Sequence, residues 1–232
     1  VSAAAAAVLK PRDAATLILV DRSGDQPRVL LGKRHGGHAF MPGKYVFPGG
    51  AVDPADRRMG VCSPLDPQVE AKLLVASRRP SPALARALAL AAIRETFEET
   101  GLAVGLPGRA PQRAPDGAWS RFVATGVAPA LDQLDFVARA ITPPGRPRRF
   151  DARFFVADAS AIAFRVPGVV HDDAELVELA WTALDAATRL DLPRITRAVL
   201  GDLEAAEQAG MDRGRPRPFY RELNGRGWRG EL

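Results

Sequence analysis

The run ALARALALAAIRETFEET, residues 83–100, contains no helix breaker. Ser81 stands where a capping side chain belongs, Pro82 fits the first helical position, and Gly101 sits just past the end, as glycine does at a helix C-terminus. A long helix over residues 82–100 follows, with Leu84, Leu88, Ala91 or Ala92, and Phe97 forming its buried stripe. The other elements have to be arranged around it. Upstream, residues 14–20 (AATLILV) and 28–33 (RVLLGK) are expected strands joined by a turn into a hairpin. Residues 45–47 are extended, and Pro48-Gly49-Gly50 is a forced turn. Residues 67–76 are expected as one short helix. Downstream, strands are expected at 122–127, 134–141, 150–157 and 175–181, with a loop at 143–149 and helices at 184–189 and 195–208. Strands and helices are mixed rather than alternating, which indicates an α+β fold.

At 232 residues, 47% hydrophobic and 25% charged, the composition is that of a globular protein with its own core. It divides into one domain over residues 1–210 and a basic, Gly/Pro/Arg-rich tail over 211–232. The single cysteine, Cys62, excludes a disulfide scaffold and suits a reducing compartment, so a cytoplasmic location is expected. Cys62 has no local histidine partner and is not read as a nucleophile. No apolar run reaches the roughly 18 residues of a membrane span, so no membrane partner is expected. The alanine-rich segment 1–9 lacks the basic flank of a secretory signal. The net charge of +5 is carried almost wholly by arginine. In the tail, six arginines alternate with three acids and with Phe219, Tyr220 and Trp228. Interleaved signs of this kind describe a surface-hugging segment, and nucleic acid is not expected as a partner.

The chemistry concentrates at the end of the long helix, in Arg94, Glu95, Glu98 and Glu99. Spacings of three and four place Glu95 beside both Glu98 and Glu99, so three carboxylates share one face. They also crowd the negative end of the helix dipole, where each acid costs about 0.3–1 kcal/mol. Arg94 can neutralise one of them. A hard divalent cation such as Mg²⁺, which takes carboxylate oxygens together with water and phosphate, completes the pattern.

With Gly50 upstream, the segment Arg94-Glu95-Thr96-Phe97-Glu98-Glu99-Thr100-Gly101-Leu102 resembles the Nudix hydrolase box: G, five residues, E, seven residues, then R-E-U-x-E-E-x-G-U, with U bulky and apolar. Phe47-Pro48-Gly49-Gly50 also resembles that family's entry to the box. The resemblance covers roughly residues 14–181. It implies the Nudix fold, a mixed sheet between helices, and metal-dependent hydrolysis of a pyrophosphate bond with Mg²⁺ or Mn²⁺. It further implies that Glu98 and Glu99 ligate the ion, that Glu95 binds metal or acts as the base for water, that Arg94 orients Glu95, and that the Gly49 carbonyl completes the inner shell. The chain departs from the pattern in three ways. Gly50 and Arg94 are separated by 43 residues instead of 13, an insertion of 30 placed at about 53–80. Counting back from Arg94 puts Arg86 where the first glutamate belongs, leaving that role vacant or filled by Asp53, Asp56 or Glu70. Thr96 replaces an aliphatic residue.

The interrupted box, the Leu30-Leu31-x-x-Arg34 lead-in and the segments 141–144 and 148–155 are similar to a branch that includes peroxisomal coenzyme A diphosphatases. That resemblance implies CoA or acyl-CoA as substrate, with ADP-ribose, nucleotide sugars and dinucleoside polyphosphates as alternatives, and a homodimer. Arg34, Arg148, Arg149 and Arg153 offer forked donors for phosphates. By alternation, Arg149 and Arg153 share a strand face with Asp151. A fourth metal carboxylate is expected from Glu175 or Glu178, near His171. His35 and His38 lie in the loop before the box, and Trp181 is expected in the core. The contrasting reading is a catalytically weak Nudix-fold module that uses its arginine tail to hold nucleic acid.

Overall fold

The computed structural model describes residues 9–37, 41–223 and 225–232. His38 and nearly all of segment 1–9 fall outside the described residues. The first half of the chain forms β1 (Arg12–Asp21), β2 (Arg28–Arg34), β3 (Tyr45–Val46), β4 (Gly49–Ala51), α1 (Pro67–Leu74), α2 (Pro82–Thr100), β5 (Leu102–Val104), β6 (Leu106–Pro107) and α3 (Ala118–Val123). The second half forms β7 (Val127–Ala128), β8 (Asp135–Ile141), β9 (Phe150–Asp158), β10 (Ile162–Arg165), β11 (Leu176–Ala183), α4 (Leu184–Ala187), α5 (Arg194–Gln208), β12 (Pro218–Leu223) and β13 (Arg226–Glu231).

Among the described residues nine strands form one mixed sheet. Seven follow the order β11-β2-β1-β9-β8-β12-β13, while β3 joins β2 and β4 joins β1. The β1–β9 and β8–β12 pairs are parallel and the rest antiparallel. Two small ribbons, β5–β10 and β6–β7, flank it. Alternation along β1 explains the layers: Leu17 and Leu19 face the core under α2, and Ile18 and Val20 face the core under α4 and α5. α5 presents Thr196, Val199, Leu200 and Leu203, an i, i+3, i+4, i+7 stripe, to the second core. No helix among the described residues is long and apolar enough to cross a membrane.

The ends of α2 are where the sequence places them. Ser81 Oγ accepts from the Leu84 N–H at 3.2 Å, and Gly101 adopts φ 75° and donates to the Phe97 carbonyl. A residue with a Cβ is strained at that φ. The buried surface of α2 differs from the expected stripe. Leu84 and every residue from Ala87 to Arg94 are buried. The segment between Asp56 and Ser81 is the reason: Met59, Leu65, Val69 and Leu73 pack on the outer side of α2, and Trp119 and Phe122 of α3 join them. An alanine-rich helix suits such double-sided burial, since small side chains let neighbours approach.

Several expectations are corrected. Residues 122–127 are not a strand; α3 ends there, with Thr125 and Gly126 bonded back to Phe122 and Val123. Gly49 and Gly50 do not form a turn but pair with Thr16 and Ala15 as strand β4. Trp181 is 38% exposed rather than core. The segment 211–232 is not a tail lying on the surface, because β12 and β13 extend the main sheet and Phe219 is buried. Its arginines are engaged locally. Arg213 bridges Asp66 at 2.9 Å and Asp135 at 3.0 Å, and Arg229 meets Asp202 at 2.9 Å. Arg221 lies 4.5 Å over the Trp228 ring. Lys72 of α1 donates to the Arg213 and Arg215 carbonyls, so the C-terminal segment clasps α1.

If the C-terminal strands belong to the cooperative fold, Phe219→Ala costs about 3–5 kcal/mol. Urea denaturation followed by circular dichroism is expected to show one transition with a lowered midpoint. A midpoint equal to that of the parent chain would return this segment to the status of an appendage.

Candidate active site

Arg94 organises the end of α2. Its side chain is 9% exposed and faces Asp56, which is fully buried. Arg94 Nε donates to Asp56 Oδ1 at 2.8 Å and Nη2 to Oδ2 at 3.1 Å, a bidentate pair. Nη2 also donates to the Ala51 carbonyl at 2.9 Å, which ties the helix to β4. Nη1 then serves two carboxylates, Glu95 Oε1 at 2.8 Å and Glu98 Oε2 at 2.7 Å. Burial works against the Arg94 charge, but Asp56 and Glu95 more than offset it and hold the guanidinium protonated. Asp56 is in turn saturated by the Trp119 indole N–H at 2.9 Å and the Asp53 N–H at 2.8 Å.

This geometry answers the question left by the spacing. Counted forward, five residues separate Gly50 from Asp56, and Asp56 is the acid that Arg94 grips in a bidentate pair. Arg86 takes no such role. Its guanidinium donates to the carbonyls of Arg57 and Met59 and secures the start of the extra segment. Asp53 caps the turn through the Ala55 N–H at 2.7 Å. Glu70 lies in the first turn of α1, far along the chain from the Arg94 clasp. Thr96, fully buried, returns its hydroxyl to the Ala92 carbonyl at 2.8 Å.

Both glycines are required by close approach. A Cβ on Gly50 would fall 2.5 Å from the Glu95 carboxylate, and one on Gly49 would fall 2.6 Å from the Ala15 carbonyl. Glu99 is buried, and its Oε2 has no hydrogen-bond partner. Burial pushes the Glu99 carboxyl well above the ordinary range, and the charges of Glu175 and Glu95 push it further. Arg34 and the Gly49 N–H act the other way. Burial likewise raises Glu95, against the pull of Arg94. Carboxylates destabilised by desolvation and by one another are what a hard divalent cation relieves. The donor set is all oxygen, and the orphaned Glu99 Oε2 points the same way, so these residues fit such an ion. Among the described residues no three acidic, imidazole or thiol groups form a ready cage. Arg94 draws Glu95 and Glu98 onto itself instead.

The structure brings some predicted residues to this cluster and not others. Arg34 is there: its Nη2 holds Glu175 Oε1 at 2.7 Å, and its buried Nε has no partner. Glu175 is therefore beside Glu99, whereas Glu178 lies near the Tyr45 hydroxyl at 3.3 Å. His171 accepts from the Asp173 N–H at 3.3 Å in the preceding turn, and His35 Nδ1 accepts from Gly37 at 3.0 Å. Arg153 is at the other end of α2. It is 99% withdrawn from solvent and spends its guanidinium on Asp13, Asp151 and Ser77. Asp151 shares its face, as alternation required, but Arg149 precedes β9 and donates to the Thr142 and Leu9 carbonyls. Arg148 is exposed in the same loop. One residue at the cluster escaped the sequence reading. Arg121 Nη2 on α3 stands 3.6 Å from Glu98 Oε1 and is largely exposed. With residues 122–127 read as a strand, nothing in the sequence aimed it there.

Two outcomes follow from this electrostatics. Removing the Asp56 carboxylate breaks a buried bidentate pair and leaves Arg94 Nε without an acceptor, so Asp56→Ala is expected to cost about 3–5 kcal/mol in chemical denaturation. Glu99 has a folded pKa raised above its unfolded value near 4.5, so it subtracts stability as pH rises through that range. In EDTA at neutral pH, Glu99→Gln is expected to melt above the parent chain, and at pH 4 or below the difference is expected to vanish. A variant less stable than the parent at neutral pH would refute the account of Glu99.

No protein-family model matches the chain. Among curated proteins, the one named "Putative nudix hydrolase 7" from Caenorhabditis elegans is 29% identical over 155 residues, which is 62% of this chain and 43% of the relative. The chain thus spans less than half the length of that protein. A crystal structure of a Nudix hydrolase from Alicyclobacillus acidocaldarius superposes with a TM-score of 0.63 at 31% identity, covering 88% of this chain and 96% of that one. With a full-length structural relative above 30% identity, the same sheet-and-helix arrangement, and the REtfEEtGL segment on the helix end facing Gly49 and Gly50, the chain belongs to the Nudix hydrolase family.

Proposed function

We propose that the chain is a pyrophosphohydrolase dependent on Mg²⁺ or Mn²⁺. It cuts the diphosphate of a nucleoside diphosphate linked to another moiety, and it works in the cytoplasm. The observation that carries this reading is the set of three glutamates at one helix end, two of them held by one buried arginine and the third, Glu99, with its Oε2 orphaned beside the glycine strand. We read the box as interrupted after Asp56, which takes the place of the first glutamate. Glu98, Glu99 and Glu95 would hold the ion, with Glu175 and the Gly49 backbone as further donors. When bound, the ion polarises a phosphoryl oxygen and offsets the charge of the diphosphate. Arg94 fixes Glu95 through Oε1, which leaves Oε2 to accept the proton of an attacking water. The raised pKa of Glu95 suits that task. The water oxygen bonds to phosphorus in line, the bridging oxygen leaves with the second phosphate, and two monophosphates result. Arg34, and Arg121 from the opposite side, supply guanidiniums to phosphate oxygens.

For the substrate we put CoA or acyl-CoA first, on the resemblance of the 30–50 and 141–155 segments. ADP-ribose, nucleotide sugars and dinucleoside polyphosphates stand behind it. Of the four arginines expected to meet substrate, Arg34 alone supports this from beside the carboxylates. The nucleic-acid module gains no support from the C-terminal arginines, since Arg213 and Arg229 face aspartates and Arg221 stacks on Trp228. A homodimer remains the expectation from the family resemblance.

Product analysis with Mg²⁺ on CoA, acetyl-CoA, ADP-ribose, a nucleotide sugar and a dinucleoside tetraphosphate tests the reading. CoA is expected to yield 3′,5′-ADP and 4′-phosphopantetheine, with Glu98→Gln inactive. Asp56→Asn, which keeps shape but not charge behind Arg94, is expected to lose roughly 10–100-fold. Cleavage of another member of the panel would replace CoA as the substrate. No cleavage at any Mg²⁺ or Mn²⁺ level would remove the catalytic reading.

A further inference from the structure

At the end of α2 opposite the glutamates lies a cavity of about 590 Å³. It is lined by four exposed cations, Lys10, Arg57, Arg78 and Arg79. Among the described residues none of these side chains has an ion pair or hydrogen bond. Behind them lies Arg153, 1% exposed, whose Nη donors are taken by Asp13, the Asp151 carbonyl and Ser77. The acids present do not balance these charges. Asp151 is gripped by Arg139 through two bonds of 2.7 Å, and Arg153 must share it and turn to Asp13 at 2.8 Å. Burial accordingly depresses the Arg153 pKa. Ser81 and Leu84 also line the cavity, so the positive end of the α2 dipole adds to the same field. Fourteen residues of helix, about 21 Å, separate Leu84 from Glu98.

We infer that this cavity is a second, anion-binding site for the phosphate of a small phosphorylated molecule or for free phosphate, remote from the glutamate cluster. Four unpaired cations face two lining carboxylates, Asp13 and Asp151, that are already paired to Arg153 and Arg139, so with a helix start behind them they provide forked donors and a net positive field. The volume is that of a pocket for a nucleotide-sized ligand. A nucleic acid would need a continuous basic strip, and the C-terminal arginines that could extend one are paired or stacked elsewhere. The inference does not rest on the catalytic reading.

Titration calorimetry of the full chain in EDTA with inorganic phosphate, pyrophosphate and adenosine 5′-monophosphate tests it. Saturable one-to-one binding is expected for the parent chain and equally for Glu98→Gln. The combined change Arg57→Ala, Arg78→Ala and Arg79→Ala is expected to weaken it roughly tenfold or more, with an unchanged melting temperature. Phosphate binding as tightly as the nucleotide would identify free phosphate as the ligand, and preference for the nucleotide would identify a phosphorylated molecule. Two results would overturn the site: no saturable binding by any probe, or binding lost in Glu98→Gln but kept in the triple variant.

Discussion

The guanidinium of Arg94 is the point on which the active end of this molecule depends. Three glutamates at the negative pole of a helix repel one another and the helix, and one cation is placed to hold two of them. It can do so only because its other edge is occupied by Asp56 and by the Ala51 carbonyl. The first contact compensates the buried charge and the second fixes the distance between α2 and the glycine strand. Glu95 and Glu98 therefore take their positions from a contact made on the far side of the arginine. Glu99, which Arg94 does not reach, is left with an orphaned oxygen in a buried place.

The extra segment between Asp56 and Ser81 has a structural part that its sequence did not advertise. It covers the outer face of α2, so that every residue from Ala87 to Arg94 is buried, and it is held down twice. Arg86 bonds its beginning, and the C-terminal segment clasps α1 through Lys72 and Asp66. The extra segment and the C-terminal segment are thus packed together, although their contacts join residues 141 to 147 positions apart.

What was legible in the sequence was local. Ser81-Pro82 and Gly101 delimit α2 because capping depends on residues within one turn. The glutamate pattern is likewise a matter of helical period, and the family resemblance rested on it. What was not legible depended on distance in space. Alternation correctly put Asp151 and Arg153 on one face, but it cannot say which end of a helix that face meets, and it meets the end opposite the glutamates. Counting back from Arg94 along α2 stops at Arg86, still inside the helix, because the extra residues lie between Asp56 and the start of α2. Counting forward from Gly50 reaches Asp56 because none of them lies before it. The segment 122–127 is short and apolar, which suits a strand or a helix equally, and Gly126 ends a helix as readily as it borders a strand. The strands at 218–231 were hidden by arginines whose guanidiniums find partners inside the fold, Arg221 on the Trp228 ring and Arg229 on Asp202.

Asp56 and Arg94 stand 38 positions apart, where the family pattern puts such partners 8 apart. Loop closure scales with the logarithm of length, so the longer connection costs only about 1.4 kcal/mol more in chain entropy. Burying a few side chains of the size of Leu73 or Val69 on α2 exceeds that. An interruption at this position is thus thermodynamically mild once it carries its own apolar face. It also makes the clasp behind the glutamates a non-local contact, and such contacts slow folding more than local ones do.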